Sequence, residues 1–233
     1  MAITIVGAAR GVFSASGKTL TMATPAGAAI GDVLLALVGH NAGDAAGAAP
    51  AGWTLVALLG SGADTLNLYT RMLDGTELAA VAFSATTVAS EWQGELVALR
   101  GTSPAVLIEA TSSTASSAST SLTTAGVTSQ QAISVILAIW TCSGAPALTL
   151  PVGFTAVDSF ASAVVSSRSM LVGSRIAGAT GALALAAATA SASTSGRSFV
   201  LVLRDRAPLR PAGLVDPVPG NIGLLAKDTR PPR

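Results

Sequence analysis

The sequence predicts an all-β fold: an antiparallel β-sandwich of jelly-roll type, internally duplicated, with an extended C-terminal tail. Three observations predict it. Short runs of β-branched and aliphatic residues alternate with Gly, Asp, Asn, Ser and Pro turn signals every 8–12 residues or so. The second half of the body repeats the blocks of the first in the same order. A proline-rich stretch then follows the last strand pattern.

The strand candidates of the first half are Ile3–Val6, Thr19–Ala23, Val33–Val38, Trp53–Leu58, Leu66–Leu73, Leu78–Phe83 and Gly94–Arg100. Gly31-Asp32, Asn41 to Asp44, Pro50 to Gly52, Gly60 to Gly62 and Asp74-Gly75 separate them with residues that favour turns. Leu66-Asn-Leu-Tyr-Thr-Arg-Met72 alternates, as a strand with one wet face does. Alanine-rich Gly181–Ala192 has helical propensity, but its Thr and Ser residues and its place in the repeat favour strands.

Four blocks recur at separations of 101 to 104 residues. Val33–Val38 matches Val135–Trp140. Pro50–Val56 matches Pro151–Val157. Tyr69–Met72 matches Gly173–Ile176, and Gly94–Arg100 matches Ser198–Arg204. The expected organisation is repeat 1 at 1–102, repeat 2 at 103–206 and a docking tail at 207–233. Two domains side by side and one sandwich with a shared core both satisfy this pattern. In the block Pro50-Ala-Gly52-Trp53, and again in Pro151-Val-Gly153-Phe154, proline fixes φ and the glycine accepts a positive φ. The aromatic that follows is expected to plug one end of the sandwich.

Composition limits the function classes. Charged residues make up 11% of the chain, against roughly 25% in ordinary soluble domains. The surface must then be largely Ala, Gly, Ser and Thr, which suits packing against other proteins. A net charge of +1 argues against holding nucleic acid by its phosphates. No apolar run approaches the ~20 residues a membrane helix needs. The start, Met1 to Val6, reads as a strand and not as a secretory signal. The single cysteine, Cys142, reads as a small buried hydrophobe.

The search for chemistry yields no catalytic, metal or cofactor residues, and the expectation is a non-enzymatic protein. His40 is the only histidine, so no multi-histidine metal site exists; it reads as a residue at a loop edge. Gly17-Lys18-Thr19 lacks the upstream glycine of a phosphate loop. Ser61, in Gly60-Ser-Gly62, is turn chemistry and no nucleophile elbow. Asn41 to Asp44 lacks the acidic spacing of a calcium loop. Glu91 and Glu95 share a strand face around Trp92, the nearest approach to a glycosidase pair, but read as a solvated strand edge. Arg71 with Arg175 and Arg100 with Arg204 recur in both repeats. They are expected to sit near strand ends, paired with carboxylates or carbonyls.

From 207 onward six prolines (Pro208, Pro211, Pro217, Pro219, Pro231 and Pro232) favour an extended chain. Two apolar patches interrupt it. Leu214 and Val215 in the first, and Ile222, Leu224 and Leu225 in the second, are expected to dock on another subunit.

The blocks Gly31–Gly39, Pro50–Val56, Leu68–Met72 and Glu95–Gly101, with their second-half counterparts, resemble a pattern found in tailed-bacteriophage and prophage virion proteins. The resemblance spans about 30–205 and excludes the tail. It implies a β-sandwich on the particle surface, as capsid decoration, head fibre or tail-associated protein, and carries no catalytic residue across. The implied partners are other virion proteins, major capsid or tail proteins among them, and further copies of the chain, as in a trimer. Neither nucleic acid nor membrane is implied. The chain would be made in the host cytoplasm and act on the virion. The alternative is a carbohydrate-binding adhesin or tail-fibre-associated module with a glycan ligand. It would require aromatics such as Trp92, Tyr69 or Trp140 to be exposed.

Overall fold

The computed structural model describes residues 3–14, 19–40, 48–61, 64–76, 79–84, 92–101, 106–162 and 168–205. The tail anchors Leu214, Val215, Ile222, Leu224 and Leu225 lie outside the described residues, as do Gly17-Lys18, Asn41 to Asp44 and Glu91. All regular structure among the described residues is β. Among the described residues no helix is long and apolar enough to cross a membrane.

The first half contributes β1 (Thr4–Ser14), β2 (Thr19–Ala23), β3 (Val33–His40), β4 (Thr54–Ser61), β5 (Asp64–Met72), β6 (Ala80–Ser84) and β7 (Trp92–Arg100). The second contributes β8 (Val106–Leu122), β9 (Val127–Ser129), β10 (Val135–Ser143), β11 (Leu148–Thr149), β12 (Thr155–Ser162), β13 (Arg168–Ile176), β14 (Gly181–Leu183) and β15 (Ala188–Asp205). Of the alanine-rich segment, Gly181–Leu183 is strand and the chain re-enters strand at Ala188. The Ser and Thr residues there prevail over alanine's helical propensity because β8 and β9 offer strands to pair with.

One sheet has the order β4-β5-β3-β7-β1-β2-β6. The other runs β12-β13-β10-β15, with β8 on the outer side of β15 and β11 on the end of it that precedes Ser191. Every pairing is antiparallel. The five-strand series β4-β5-β3-β7-β1 therefore has the same order as β12-β13-β10-β15-β8. Long β8 does alone what β1 and β2 do together: Ser121 pairs with Thr189 as Thr19 pairs with Ser84.

The sheets face each other. A core of 16 buried residues joins them, eight from each half: Ile3, Val33, Leu35, Leu37, Leu66, Leu68, Val97 and Leu99 against Val135, Leu137, Ile139, Met170, Val172, Phe199, Leu201 and Leu203. Strand alternation sends the intervening residues the other way. Leu34, Ala36 and Val38 join Leu20, Met22, Trp53, Tyr69 and Phe83 in a second core, beneath the curl that carries β6 over β5. Ile136, Ala138, Trp140 and Cys142 lie in the matching third core. Central strands are covered on both faces, so all eight residues of β3 are buried. That is why Val33–Val38 is a continuous apolar run and not an alternating one.

Both proline blocks form the expected turn. The Trp53 N–H donates to Pro50 O at 3.0 Å and the Phe154 N–H to Pro151 O at 3.3 Å. Gly52 and Gly153 have φ of 79° and 89°, the left-handed region a type II turn demands. Trp53 is buried edge-on against Phe83 at 5.5 Å, and Phe154 is half-buried edge-on against Trp140 at 5.5 Å.

Candidate functional site

Two places in the body have an unusual environment: a polar seam between the sheets, and the apolar end of the sandwich from which β3 and β10 start.

The seam lies where β1 crosses β12. Register puts Arg10 opposite Glu95, and Glu95 opposite Leu37. Arg10 reaches across to the other half. Its Nε and Nη2 donate to the two carboxylate oxygens of Asp158, and Nη2 also donates to Ser159 O at 2.8 Å. The guanidinium lies 5.4 Å from the Phe160 ring centroid. Arg10 is half exposed, so this pair is screened by solvent.

Glu95 is a correction to the sequence reading. It lies on no solvated edge but on β7, a central strand, and is fully buried. Neither of its carboxylate oxygens has a hydrogen-bond partner among the described residues, and the same holds for the side-chain amide of Gln93. Burial pushes the Glu95 carboxyl up to about 8; the Asp158 charge adds to this and Arg10 opposes it. At neutral pH the group is a protonated acid, which is how a buried carboxyl avoids the cost of an unpaired charge. Burial also raises Asp158, but the Arg10 hydrogen bond, the Ser159 N–H and the Arg10 charge outweigh it, so Asp158 is held below its ordinary range.

His40 is a second correction. It is the last residue of β3, buried, and stacked on Trp92 at 5.3 Å between ring centroids. Its strand continues one turn of the pleat beyond the run of aliphatics, and Trp92 on the neighbouring strand covers it.

The recurring arginines pair differently in the two halves. Arg100 donates from Nε and Nη2 to Asp32, both at 2.7 Å, and Asp32 also accepts the Ala29 N–H at 2.8 Å. Chiefly the Arg100 hydrogen bonds hold the Asp32 carboxyl below its usual range. In the second half Ser134 stands at the place of Asp32 and donates to Glu109 at 3.0 Å. The Nε of Arg204 has no partner among the described residues. Arg71 donates to Ala51 O at 3.2 Å and to Thr76 Oγ1 at 3.1 Å. Arg175 lies 5.7 Å from the Phe154 ring centroid.

The other place is the end from which β3 and β10 start. Ile30, Met72, Ile133, Val152 and Ile176 are exposed there, Ile30 by 77% and Val152 by 95%. Register puts Met72 beside Val33 and Ile176 beside Val135. Ile3 to Ala8 share a cleft of about 610 Å³ with Val135 and Ile176, so both halves present this end together. β15 also finishes here, since Leu203 pairs with Val135. Asp205, the last described residue, therefore lies at the apolar end.

All three tryptophans and the single tyrosine are buried, so none offers the exposed platform the glycan reading requires. Among the described residues no group of three His, Cys, Asp or Glu gathers to hold a metal ion. Cys142 is buried in the third core. Sequence reasoning missed the Arg10–Asp158–Glu95 grouping because its members come from positions far apart in the chain. One signal was available: Asp158 places a charge directly after the repeated block, where the first half has Ala57.

Comparison with protein-family models, curated proteins and solved structures found no match.

Proposed function

We propose that this chain is a non-enzymatic structural component of a tailed-phage virion, a decoration or cement protein that docks on its neighbours through its C-terminal tail. The observation that carries the reading is the apolar end. Ile30, Met72, Ile133, Val152 and Ile176 are exposed at the end of the body where the described chain stops at Asp205. Exposed aliphatic clusters on a body with 11% charged residues favour protein contact over free solution. The tail carries Leu214, Val215, Ile222, Leu224 and Leu225 from that same end, so body and tail engage one neighbouring surface. The partners are other virion proteins and further copies of the chain, and the place of action is the particle surface. The sequence resemblance to virion proteins supports this reading.

The test is reconstitution. Particles lacking the chain are mixed with the full-length protein or with a version ending at Arg206, and bound protein is measured after sedimentation. The proposal expects the full chain to bind and the shortened one to lose most of its binding. Equal binding of both would refute docking through the tail.

A further inference from the structure

The internal repeat supplies a control, because the strands of one half have counterparts in the other. The two outermost strands, β4 and β12, are counterparts and differ in how their edges are treated. Both carry a bulge, between Leu55 and Ala57 and between Ala156 and Asp158. On β12 the bulge is followed by Asp158, a charge directed toward Arg10 of the opposite sheet. The exposed residues near it on β12 are Ala156 and Ser159. An inward-pointing charge helps keep an open sheet edge from pairing, as does a bulge, which both strands share.

β4 lacks the inward charge. Its sequence from Thr54 to Ser61 contains no charged residue. Where β12 has Ala156 and Ser159, β4 has Leu55 and Leu58, exposed by 49% and 61%, with Val56 exposed beside them. Among the described residues no strand pairs with the outer edge of β4. An uncharged, leucine-bearing edge that no strand covers among the described residues is a template for another strand.

We infer that β4 is a self-association edge, at which β4 of a second copy pairs antiparallel across a twofold axis. A second copy is favoured because the strand is its own complement. It carries no charge to repel its image, its leucines meet leucines, and antiparallel pairing is the arrangement a twofold axis imposes on identical strands. The contact joins two seven-stranded sheets into one. It gives pairs in place of the trimer that the resemblance to virion proteins implies, and it stands whether or not the chain belongs to a virion.

The test uses the full chain in sedimentation equilibrium over a wide concentration range. Three variants accompany it: Leu58→Lys, Ala156→Lys on the counterpart strand, and a chain ending at Asp205. Leu58 is mostly exposed, so its replacement leaves the core intact, and thermal unfolding confirms that. The expected result is a concentration-dependent dimer, weakened about tenfold or more by Leu58→Lys and retained by the other two. A monomer at every concentration, or a Leu58→Lys dimer as tight as the parent, overturns the inference. Loss of the dimer on removing 206–233 alone would assign the edge to the tail and overturn it equally.

Discussion

Glu95 is the residue whose environment is most at odds with its chemistry, and it gives the sharpest prediction. Its folded carboxyl titrates near about 8, whereas an unfolded glutamate titrates near ~4.3. The folded state therefore holds a proton that the unfolded chain releases. Its contribution to stability is full below the ordinary carboxylate range, declines as pH rises and levels off above about 8. The decline is on the order of 5 kcal/mol. Glu95→Gln removes the titration, so urea unfolding should show a variant whose stability is flat from weakly acid to weakly alkaline pH and which exceeds the parent at the alkaline end. A parent-like slope in the variant would show that Glu95 is not the group responsible. Asp32 and Asp158 act in the opposite sense. Their folded carboxyls are depressed, so their contributions are present above the ordinary range and are lost as pH falls through it. Asp32→Ala removes a buried acceptor from Arg100 and from the Ala29 N–H, and should cost about 1–3 kcal/mol by denaturant titration.

At the scale of elements, the turns and central strands were legible and the seam was not. Val33–Val38 and Thr19–Ala23 could be read directly, because aliphatic runs bounded by Gly-Asp or Pro-x-Gly leave few alternatives. The turn role of Gly52 and Gly153 was equally plain, since the residue before the aromatic had to take a positive φ. These two glycines allow a comparison. A Cβ at Gly153 meets nothing within 4 Å, whereas one at Gly52 meets the Arg71 guanidinium at 3.1 Å. Gly153→Ala should then cost only the left-handed strain, about 1–2 kcal/mol, and Gly52→Ala at least as much, with Arg71 displaced. Thermal unfolding of the two variants measures both. By contrast, Glu95 was misread because a strand pattern does not reveal its own place in the sheet. Only the order β3-β7-β1 shows that β7 is central. His40 was misread for a similar reason: the strand runs past the last aliphatic residue, and a neighbouring tryptophan closes over the ring. Residues beyond Asp205 fall outside the described part, so the tail anchors remain part of the proposal.

The whole molecule behaves as two equivalent halves that complete each other. The contacts are reciprocal: β1 packs on β12 and β8 packs on β4, as in an isologous dimer joined into one chain. Each half supplies eight residues to the joint core, and burying a side chain of that size is worth about 1.5–3 kcal/mol. Neither half can satisfy that face alone. Residues 1–102 and 103–206 expressed separately should be insoluble or self-paired, and co-expression should restore a soluble complex that elutes as one species. If either half proved to be a stable monomer, the shared core would not be what holds the fold together. The function proposed for the molecule rests on this double-layered body presenting one apolar end and one tail to a neighbour. The measurement that tests it most directly is quantitative mass spectrometry of purified virus particles from the source. The account predicts copies of this chain on the order of those of the capsid protein. Absence from the particles would contradict it and leave the duplicated β-sandwich without the role assigned to it.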